Sequence, residues 1–334
     1  MKEVAKLAGT SWTVVSYVVN DGPRPVAPET RKRVLEAMKT LGYRKNALAQ
    51  ALKTQQTSTL GIVLPDLARP FFSEMARAIE DAAYKRDLRV LVGSSHFDHA
   101  RQAAYVDTYL QLQVEGILLV PIDHQVPEGL RHAFETGMPV TSVHRKIDLN
   151  IPAVVADDAA GGRLAAEHLL SKGHSRIACL SGPREDEGPI ETRTRGFLDA
   201  LAAEGAPQWI PPVRCSDRDL RQQAYEQASR LLTEHPDVTA ICAVTDELAL
   251  GVMRASFERG RRIGTDLSLI SIDGTEQTQL TAPPLTVVQE DFAMLGELAV
   301  RLLLGQEPSA ASTEENASHV VPMNLVPRRS VHQL

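Results

Sequence analysis

Apolar residues near the start of the chain recur with a helical period. Four valines fall on one face of a helix that would begin after Ser11, a good N-cap residue. They are Val14, Val15, Val18 and Val19. The opposite face holds polar and aromatic side chains, which are Trp12, Thr13, Ser16 and Tyr17. The spacing therefore predicts a helix, although the composition is typical of a β-strand, and puts two aromatic residues on its outer side.

Two further amphipathic helices flank this one. In residues 2–8 the apolar side is Val4, Ala5, Leu7 and Ala8, and the helix stops at Gly9. The third starts at Pro28, presents Val34, Leu35, Met38 and Leu41, and ends at Gly42. Two helices joined by a tight turn, completed by a third, predict an all-α helix-turn-helix domain over residues 1–45.

A short helix candidate at 46–54 and the polar run after it predict a hinge helix and linker over residues 46–58. From Leu60 the pattern changes to continuous apolar runs that alternate with amphipathic segments. Strands are predicted at 60–65, 89–95, 116–121, 139–144, 176–182, 239–246 and 267–274. Helices are predicted at 72–86, 98–113, 127–136, 159–171, 192–204, 218–234 and 247–258.

This alternation predicts an α/β body of two doubly wound parallel-sheet subdomains with a ligand cleft between them. We expect the N-terminal subdomain to comprise residues 59–157 and 290–316. The C-terminal subdomain would then comprise residues 158–289 and 317–334. The polar segment 307–319 is expected to be a loop.

Composition narrows the class of protein. The chain has 334 residues, of which 43% are hydrophobic and only 4% aromatic. No apolar run approaches the ~20 residues of a membrane span, and residues 1–15 lack the apolar centre of a signal peptide. The three scattered cysteines (Cys179, Cys215 and Cys242) form no CxxC pair, which favours a reducing cytoplasm.

Charge is distributed unevenly along the chain. Residues 1–59 contain ten Lys and Arg against four acidic residues, whereas the remainder contains 26 against 38. A basic head on an acidic body indicates a polyanionic partner for the head alone, although a basic head that is merely solvated would show the same balance.

Motifs of enzyme active sites are absent. The sequence contains no GxGxxG after a strand, no GxxxxGK[ST], no GxSxG and no HExxH. His168 and His174 have no convincing third ligand nearby, so a structural or capping role is favoured over a metal site. We therefore predict no enzyme activity, no cofactor and no metal.

With these parts in order, the whole chain resembles the lactose-repressor (LacI) family of bacterial transcription regulators. In the head and hinge the resemblance is carried by "VAKLAGTSWTVVSYVVN", "PETRKRVLEAMKTLGYRKNALAQALKT" and "TLGIVLPDLARPFFSEM". In the body it is carried by "DDAAGGRLAAEHLLSKGHSRIACLSGP", "RTRGFLDAL", "TDELALGVM", "LISIDG", "PPLTVVQEDFAMLGELAVRLLL" and "LVPRRSV". The periplasmic-binding-protein-like fold of the body follows from this likeness.

The resemblance implies that the helix after Ser11 lies in the major groove of double-stranded DNA. Trp12 and Thr13 would then face bases, and the phosphate contacts would come from Ser16, Asn20, Tyr43 and Asn46. Leu52 matches the family's hinge leucine, which wedges into the minor groove, and Lys53 would sit beside the adjacent backbone. Each of these roles has an alternative. Trp12 would instead pack on the domain as a surface aromatic, and Ser16 and Asn20 would cap nearby backbone groups. Leu52 would instead lie on the buried face of a linker helix.

Three features depart from the family pattern. Tyr17 stands where Arg, the better guanine reader, is frequent, so the operator sequence cannot be carried over. Gln50 replaces a frequent hinge Arg. Met1-Lys2 lacks the usual Thr-type N-cap, so either the first turn frays or the start lies upstream, and the second is favoured.

The same resemblance implies a small effector, most often a sugar or related metabolite, in the cleft of the body. Phe72, with Phe71 beside it, would stack on the ligand, while Arg193, Asp246 and Asp273 would bond its polar groups. Arg184 and Glu290 are weaker candidates. Four of these candidates also have a structural interpretation: a core position for Phe71 or Phe72, a salt bridge for Arg193 and a helix cap for Asp246.

The mechanism expected from the family is that of a homodimeric regulator on a pseudo-palindromic operator, with repression expected because most members repress. Inducer versus co-repressor and dimer versus tetramer stay open. A hinge helix of residues 46–52 is shorter than the ~12–15 residues that are stable alone, so DNA must support it. The rival classes are a periplasmic sugar receptor, opposed by the missing signal peptide and the basic head, and a sugar-acting hydrolase or isomerase, opposed by the lack of a nucleophile or metal constellation.

Overall fold

The computed structural model describes residues 1–20, 22, 24–43, 57–183, 188–204, 210–215, 219–306 and 318–334, without the side chains of Asn20, Ile210 and Pro211. The chain divides into two compact units, Met1–Thr57 and Ser58–Leu334. They are called the head and the body below.

The head is built from three helices around a small apolar core. They are α1 (Lys2–Leu7), α2 (Trp12–Asn20) and α3 (Pro28–Thr40). Each helix contributes one fully buried valine to the centre, and these are Val4, Val15 and Val34. Gly9 has a φ of +60°, and a residue without a side chain adopts this left-handed conformation in the turn between α1 and α2 without strain. The predicted helix-turn-helix is confirmed.

The leucines of the head do not lie where the apolar pattern predicted. Leu7, Leu35 and Leu41 are 54%, 49% and 43% exposed, whereas Ala5 and Ala37 are buried. Helices that meet through valine and alanine approach closely, so the centre has no room for longer side chains, and the leucines lie at its margin.

The body contains two six-stranded sheets covered by helices. The first subdomain has strands β1 (Thr59–Leu64), β2 (Arg89–Ser94), β3 (Ile117–Leu119), β4 (Val140–Val143), β5 (Ala153–Ala156) and β11 (Ser318–Val321). Its helices are α4 (Pro70–Tyr84), α5 (His99–Gln111), α6 (Glu128–Glu135) and α11 (Phe292–Leu303).

The second subdomain repeats this plan. Its strands are β6 (Ile177–Ser181), β7 (Ile210–Arg214), β8 (Ala240–Ala243), β9 (Ser268–Asp273), β10 (Thr286–Glu290) and β12 (Met323–Val326). Its helices are α7 (Asp158–Ser171), α8 (Pro189–Ala203), α9 (Leu220–Glu234) and α10 (Asp246–Glu258), with a 3₁₀ turn at Glu276–Gln279.

Both sheets have the doubly wound order that the alternation predicted. The first runs β11-β5-β4-β3-β1-β2 with parallel neighbours throughout, and the second runs β12-β10-β9-β8-β6-β7 with β12 antiparallel to β10. Alternate residues of β1 enter different cores: Ile62 packs in one apolar cluster and Val63 in another. Helices therefore cover both faces of the sheet, which explains the uninterrupted apolar runs.

One predicted boundary is wrong. Residues 317–334 were assigned wholly to the second subdomain, with a loop up to 319, yet Ser318–Val321 forms β11 beside β5 of the first sheet. Glu290, which was expected to open the returning part of the first subdomain, is instead the last residue of β10 in the second sheet. Local pattern does not reveal these assignments, because an edge strand of four residues is chosen by its tertiary partner.

Three connections cross between the subdomains. They follow β5 at Ala156–Asp158, follow β10 at Glu290–Phe292, and join β11 to β12 at Val321–Met323. Since each connection is only one residue long, the two sheets are held close together and any relative movement must occur at these three points.

Close packing of α7 on α8 positions the central part of the second subdomain. A Cβ atom placed on Gly162 would lie 2.0 Å from the carbonyl oxygen of Arg193 and 2.7 Å from the amide nitrogen of Phe197. Only glycine allows the two backbones to come this close, and the contact brings the start of α7 next to Arg193.

No helix in the described parts of the chain is both long and apolar enough to span a membrane. Cys179, Cys215 and Cys242 are buried and unpaired.

Gly162→Ala should destabilise the body by about 1–3 kcal/mol, because the added methyl group meets fixed backbone atoms of α8. Gly161→Ala is the matched control: its Cβ would lie 2.4 Å from Sδ of Met323, near the free end of a flexible side chain that can move. Urea unfolding followed by circular dichroism measures both free energies of unfolding. Equal effects of the two substitutions would contradict this account of the helix contact.

Candidate functional site

The first turn of α2 is exposed on the surface of the head. The hydroxyl oxygen of Ser11 accepts a hydrogen bond from the amide of Val14 at 3.3 Å, so the predicted N-cap is confirmed. Trp12 follows at 55% exposure, and Thr13 is also exposed. The side chains of Trp12 and Thr13 therefore face solvent at the N-terminal end of a capped helix.

Other residues predicted at this interface are partly covered or lie outside the described residues. Tyr17 is half-buried, and its ring lies over Gly22, where a Cβ would come within 2.4 Å of it. Tyr43 packs against the apolar core of the head. Asn46, Leu52 and Lys53, and the side chain of Asn20, are not described, whereas Ser16 is described and half-buried.

The centre of the body is a buried guanidinium group. Arg193, 1% exposed, lies on the second turn of α8 and donates from Nε to Oδ1 of Asp158 at 2.7 Å. Its Nη1 donates to Oδ1 of Asp273 and to the carbonyl oxygen of Val244, the latter at 3.3 Å. These partners come from the start of α7 and from the carboxyl ends of β8 and β9, which is where a doubly wound sheet places its ligand site.

Asp273 is held in a strained backbone conformation beside Arg193. Its φ is +132°, which non-glycine residues rarely adopt and which costs about 1–3 kcal/mol. Burial raises the pKa of its carboxyl group to about 7; the Arg193 charge opposes this rise and the nearby Asp246 adds to it. Strain of this kind, maintained by the surrounding bonds, is typical of functional sites.

Asp246 is saturated by bonds within the protein. Its Oδ1 accepts from the hydroxyl of Ser271 at 2.7 Å, and its Oδ2 accepts from the amide and the hydroxyl of Thr275 at 2.8 and 2.7 Å. Its own amide donates to Oδ2 of Asp273 at 3.2 Å. The carboxylate thus anchors the loop after β9, while the helix cap is supplied by the hydroxyl of Thr245.

Glu290, a weaker candidate from the sequence, is the unusual acid of the cluster. It is 1% exposed, and neither carboxyl oxygen has a hydrogen-bond partner among the described residues. Its Oε2 lies 3.8 Å from Nη2 of Arg193, which is likewise buried without a hydrogen bond. Burial raises the pKa of Glu290 to about 8; Arg193 opposes the shift, and Asp158 and Asp273 increase it.

Aromatic rings from the first subdomain close over the charged cluster. The ring of Phe71 lies 5.9 Å from the guanidinium carbon of Arg193 and 4.8 Å from the ring of His144. Phe72 meets Phe71 edge-on at 5.2 Å, and Phe97 lies 6.2 Å from Phe72. Both predicted phenylalanines are 8% exposed and belong to the core of the first subdomain, so they pack in that core and line the cluster at the same time.

Three cavities lie in the body, and two of them reach a residue of the charged cluster. One of about 690 Å³ is bounded by Asp66, Arg69 and Phe97 of the first subdomain and by Arg221 and Glu247 of the second. A second, of about 700 Å³, reaches His144 and Asp158, and a third, of about 490 Å³, reaches Glu290. Each is large enough for a small polar molecule.

Several residues of this site were not anticipated from the sequence. Asp158, His144, Phe97 and Arg69 were missed, although all four follow the carboxyl end of a strand within a few residues, and that position is itself a signal. Arg184 lies outside the described residues. The structural role predicted for His174 is confirmed by its bonds to Thr239 at 3.0 Å and to the His332 carbonyl at 3.2 Å. Among the described residues no group of three or more His, Cys, Asp or Glu side chains is arranged to hold a metal ion.

Comparison with known families matches nearly the whole chain. Residues 1–46 match "Bacterial regulatory proteins, lacI family", and residues 57–326 match "Periplasmic binding proteins and sugar binding domain of LacI family".

Individual proteins give the same result. The transcriptional regulator DegA of Bacillus subtilis (strain 168) is 32% identical over 338 residues, covering 99% of this chain and 98% of the relative. The ribose operon repressor of Escherichia coli (strain K12) is 31% identical and covers 91% and 92%. The crystal structure of the Lac repressor dimer bound to operator and the anti-inducer ONPF superposes with a TM-score of 0.83, at 30% identity, covering 98% of each chain.

Glu290→Gln should make stability less dependent on pH. A carboxyl group whose pKa is about 8 in the folded protein, against an ordinary value of 4.5, binds its proton more tightly when folded. Its contribution therefore favours folding at low pH and is lost as pH rises through 8. Relative to wild type, the variant should gain on the order of 4 kcal/mol in free energy of unfolding between about pH 5 and pH 9.

Denaturant unfolding at a series of pH values measures this difference. Glu80→Gln, the same change at an exposed position of α4, is the control and should track wild type. A constant gap between wild type and Glu290→Gln across the pH range would refute the raised pKa.

Proposed function

The chain belongs to the LacI family of bacterial regulators, and from that premise we propose that it is a transcriptional repressor whose operator affinity is controlled by a sugar-type effector. One observation carries the proposal, which is that two features occur in one chain. The head has a capped helix with exposed Trp12 and Thr13, and the α/β body has a central cluster with buried polar atoms that make no hydrogen bond. The first feature is suited to DNA and the second to a small polar ligand.

At the operator, α2 would lie in the major groove of double-stranded DNA. Trp12 and Thr13 would contact base edges, and Tyr17 would add a hydroxyl group and a ring. Ser11, Ser16, Asn20, Tyr43 and Asn46 would bond phosphates or position the helix on them. Leu52 would wedge into the minor groove with Lys53 beside the backbone. The positive charge of the head supports this assignment, because phosphate contacts dominate affinity for DNA.

In the body, the effector would lie between the two subdomains against Phe71 and Phe72 on one side and Arg193 and Asp273 on the other. Asp246 would act as a positioning residue, since its carboxylate is saturated by Ser271 and Thr275. The polar groups of the cluster are almost fully buried, so the effector would gain access by movement of the subdomains at the three crossing connections. A coupling of about 1–3 kcal/mol between effector and operator suffices for regulation.

The proposal includes a cytoplasmic, non-enzymatic role, because the partner is operator DNA and the central charges are engaged with each other rather than arranged as a nucleophile and base. Relatives carry the names of transcriptional regulators and repressors, which supports this assignment. The rival that remains testable is a sugar receptor without DNA function.

Binding of the full chain to duplex DNA separates these two classes. Sequences selected from a random duplex pool should include a pseudo-palindrome, and their affinity in a mobility-shift assay should fall steeply with salt as counterions are released. A chain that shows no preference among duplexes would overturn the proposal.

Trp12→Ala should weaken binding to the selected operator about tenfold or more, because one good base contact is worth about 1–3 kcal/mol. Non-specific binding should change little, since phosphate contacts are retained. Trp12 is 55% exposed, so its truncation should not unfold the head. Leu35→Ala, at 49% exposure on α3, is the control for loss of an exposed apolar side chain. Equal operator affinity of the Trp12 variant and the control would remove Trp12 from the interface.

A homodimer is the proposed assembly, and the edge strand β2 offers an interface. Leu91 and Val92 are 38% and 42% exposed at this sheet edge, and Tyr84 at the end of α4 is 61% exposed. An unpaired edge with apolar side chains is a natural site for a second copy.

Leu91→Lys combined with Val92→Lys should convert the dimer to a monomer at micromolar concentration, because two ammonium groups would have to be desolvated in the interface. Sedimentation equilibrium or light scattering measures the mass. Leu334→Lys, at a 59% exposed position near the end of the chain, should remain dimeric. An unchanged mass for the double variant would place the interface elsewhere.

A further inference from the structure

The central cluster of the body retains hydrogen-bonding capacity that the protein does not use. Both carboxyl oxygens of Glu290 and the Nη2 group of Arg193 are buried without a hydrogen bond among the described residues. Oε2 of Glu290 lies 3.8 Å from Nη2 of Arg193, which is too far for a hydrogen bond. Since native proteins satisfy nearly all buried polar atoms, an acceptor and a donor left together in one place indicate a ligand that supplies both partners.

The positive charge of Arg193 is already neutralised. Its Nε bonds Asp158 and its Nη1 bonds Asp273, so two carboxylates are in direct contact with one guanidinium. Glu290 adds a third acidic group on the remaining side.

Charged residues further from Arg193 do not change the excess of acidic over basic groups around it. Asp246 lies behind Asp273, and Arg145 lies beyond Asp158 and His144, where its charge acts on both. Further out lie one acidic residue, Glu74, and one basic residue, Arg328, and each interacts electrostatically with Asp246. Carboxyl groups therefore outnumber guanidinium groups around the place where the two unsatisfied groups meet.

We infer that the effector is an uncharged polyhydroxyl molecule, with one hydroxyl group that donates to Glu290 while a neighbouring oxygen accepts from Nη2 of Arg193. Glu290 is the residue that sets specificity against phosphorylated and carboxylated relatives of that molecule. The inference rests on the proposed function, because it concerns the same effector site.

Electrostatics gives the reason for this selectivity. An anion that enters the cluster loses its hydration and finds no uncompensated positive charge to replace it. The pKa of Glu290 is already raised to about 8 by burial and by the neighbouring carboxylates, so a further negative charge meets a site that resists it. A pair of hydroxyl groups carries no charge and needs no compensating positive charge, and it fits an acceptor and a donor that lie 3.8 Å apart.

Aromatic and planar polar groups that suit the same class of molecule line a cavity between the two subdomains, which the ring contacts of Phe71, Phe72 and Phe97 connect to Arg193. Phe97 carries the Arg69 guanidinium 4.3 Å above its ring, and it borders the 690 Å³ cavity together with the Arg221–Glu247 pair. An apolar ring face beside planar hydrogen-bonding groups matches the alternating apolar and hydroxyl surfaces of a sugar ring.

Matched sets of probes test the inference on the full chain. Each set contains an uncharged sugar, its phosphate ester, its uronic acid and its amino sugar, such as glucose, glucose 6-phosphate, glucuronate and glucosamine, with corresponding sets for galactose, ribose and xylose. Thermal shift at about 20 mM identifies binders, and calorimetry gives their dissociation constants. The uncharged member of at least one set should bind, and its anionic relatives should bind at least tenfold more weakly.

Glu290→Gln keeps the shape of the side chain but cannot ionise, so at pH 9, above the pKa of about 8 that Glu290 has in the folded protein, it should reduce discrimination against the anionic relatives about tenfold. Glu80→Gln removes the same charge from an exposed position and should leave the ratio of dissociation constants unchanged. An anionic or amino sugar as the tightest binder, the absence of any uncharged binder, or an unaltered ratio in Glu290→Gln would each overturn the inference.

Mobility-shift measurements keep this result separate from the proposed function. If the full chain binds its selected operator and an anionic sugar alters that binding, the inference fails and the proposed function stands. If the chain binds no duplex DNA selectively, the proposed function fails, while the calorimetric ratios still decide the charge selectivity of the cleft.

Discussion

The body depends on one buried guanidinium group. Arg193 meets acidic side chains from three distant segments: Asp158 at the first crossing between subdomains, Glu290 at the second, and Asp273 at the end of β9. A buried charge is tolerated only when it is paired, and removal of one partner from such a cluster leaves the rest strongly destabilised. The cluster therefore ties the positions of two crossing connections to the centre of the second sheet.

The same constraint connects packing with regulation. Arg193 reaches Asp158 because Gly162 lets α7 and α8 touch backbone to backbone. A ligand that bonds Glu290 and Arg193 would act on a residue at the second crossing and on the partner of Asp158 at the first, where the subdomains can move relative to each other. Effector binding and the movement of the subdomains would thus involve the same groups, so no chain of intermediate residues is needed to connect them.

Elements whose signals are local in the sequence were predicted more readily than elements that depend on a partner far away in the chain. Helices α1–α3 and most strands of continuous apolar sequence were predicted because their signals are local, although β5, β10 and helix α11 were not among the predicted elements. Strand β7 was missed because Ile210–Arg214 contains two prolines, which an edge strand tolerates but a local pattern does not suggest. Strand β11 was taken for a loop because its pairing with β5 bridges more than 150 residues of sequence.

The sequence by itself determined the family and the two kinds of domain, and it named Phe71, Phe72, Arg193, Asp246 and Asp273 as effector candidates, a role that stays a prediction. Tertiary structure alone decided how their charges balance. It brings Glu290 and Asp158 to Arg193, saturates Asp246 with Ser271 and Thr275, and leaves Glu290 without a hydrogen bond. Those properties depend on distance and burial, which segments far apart in the chain acquire only when the two sheets are assembled.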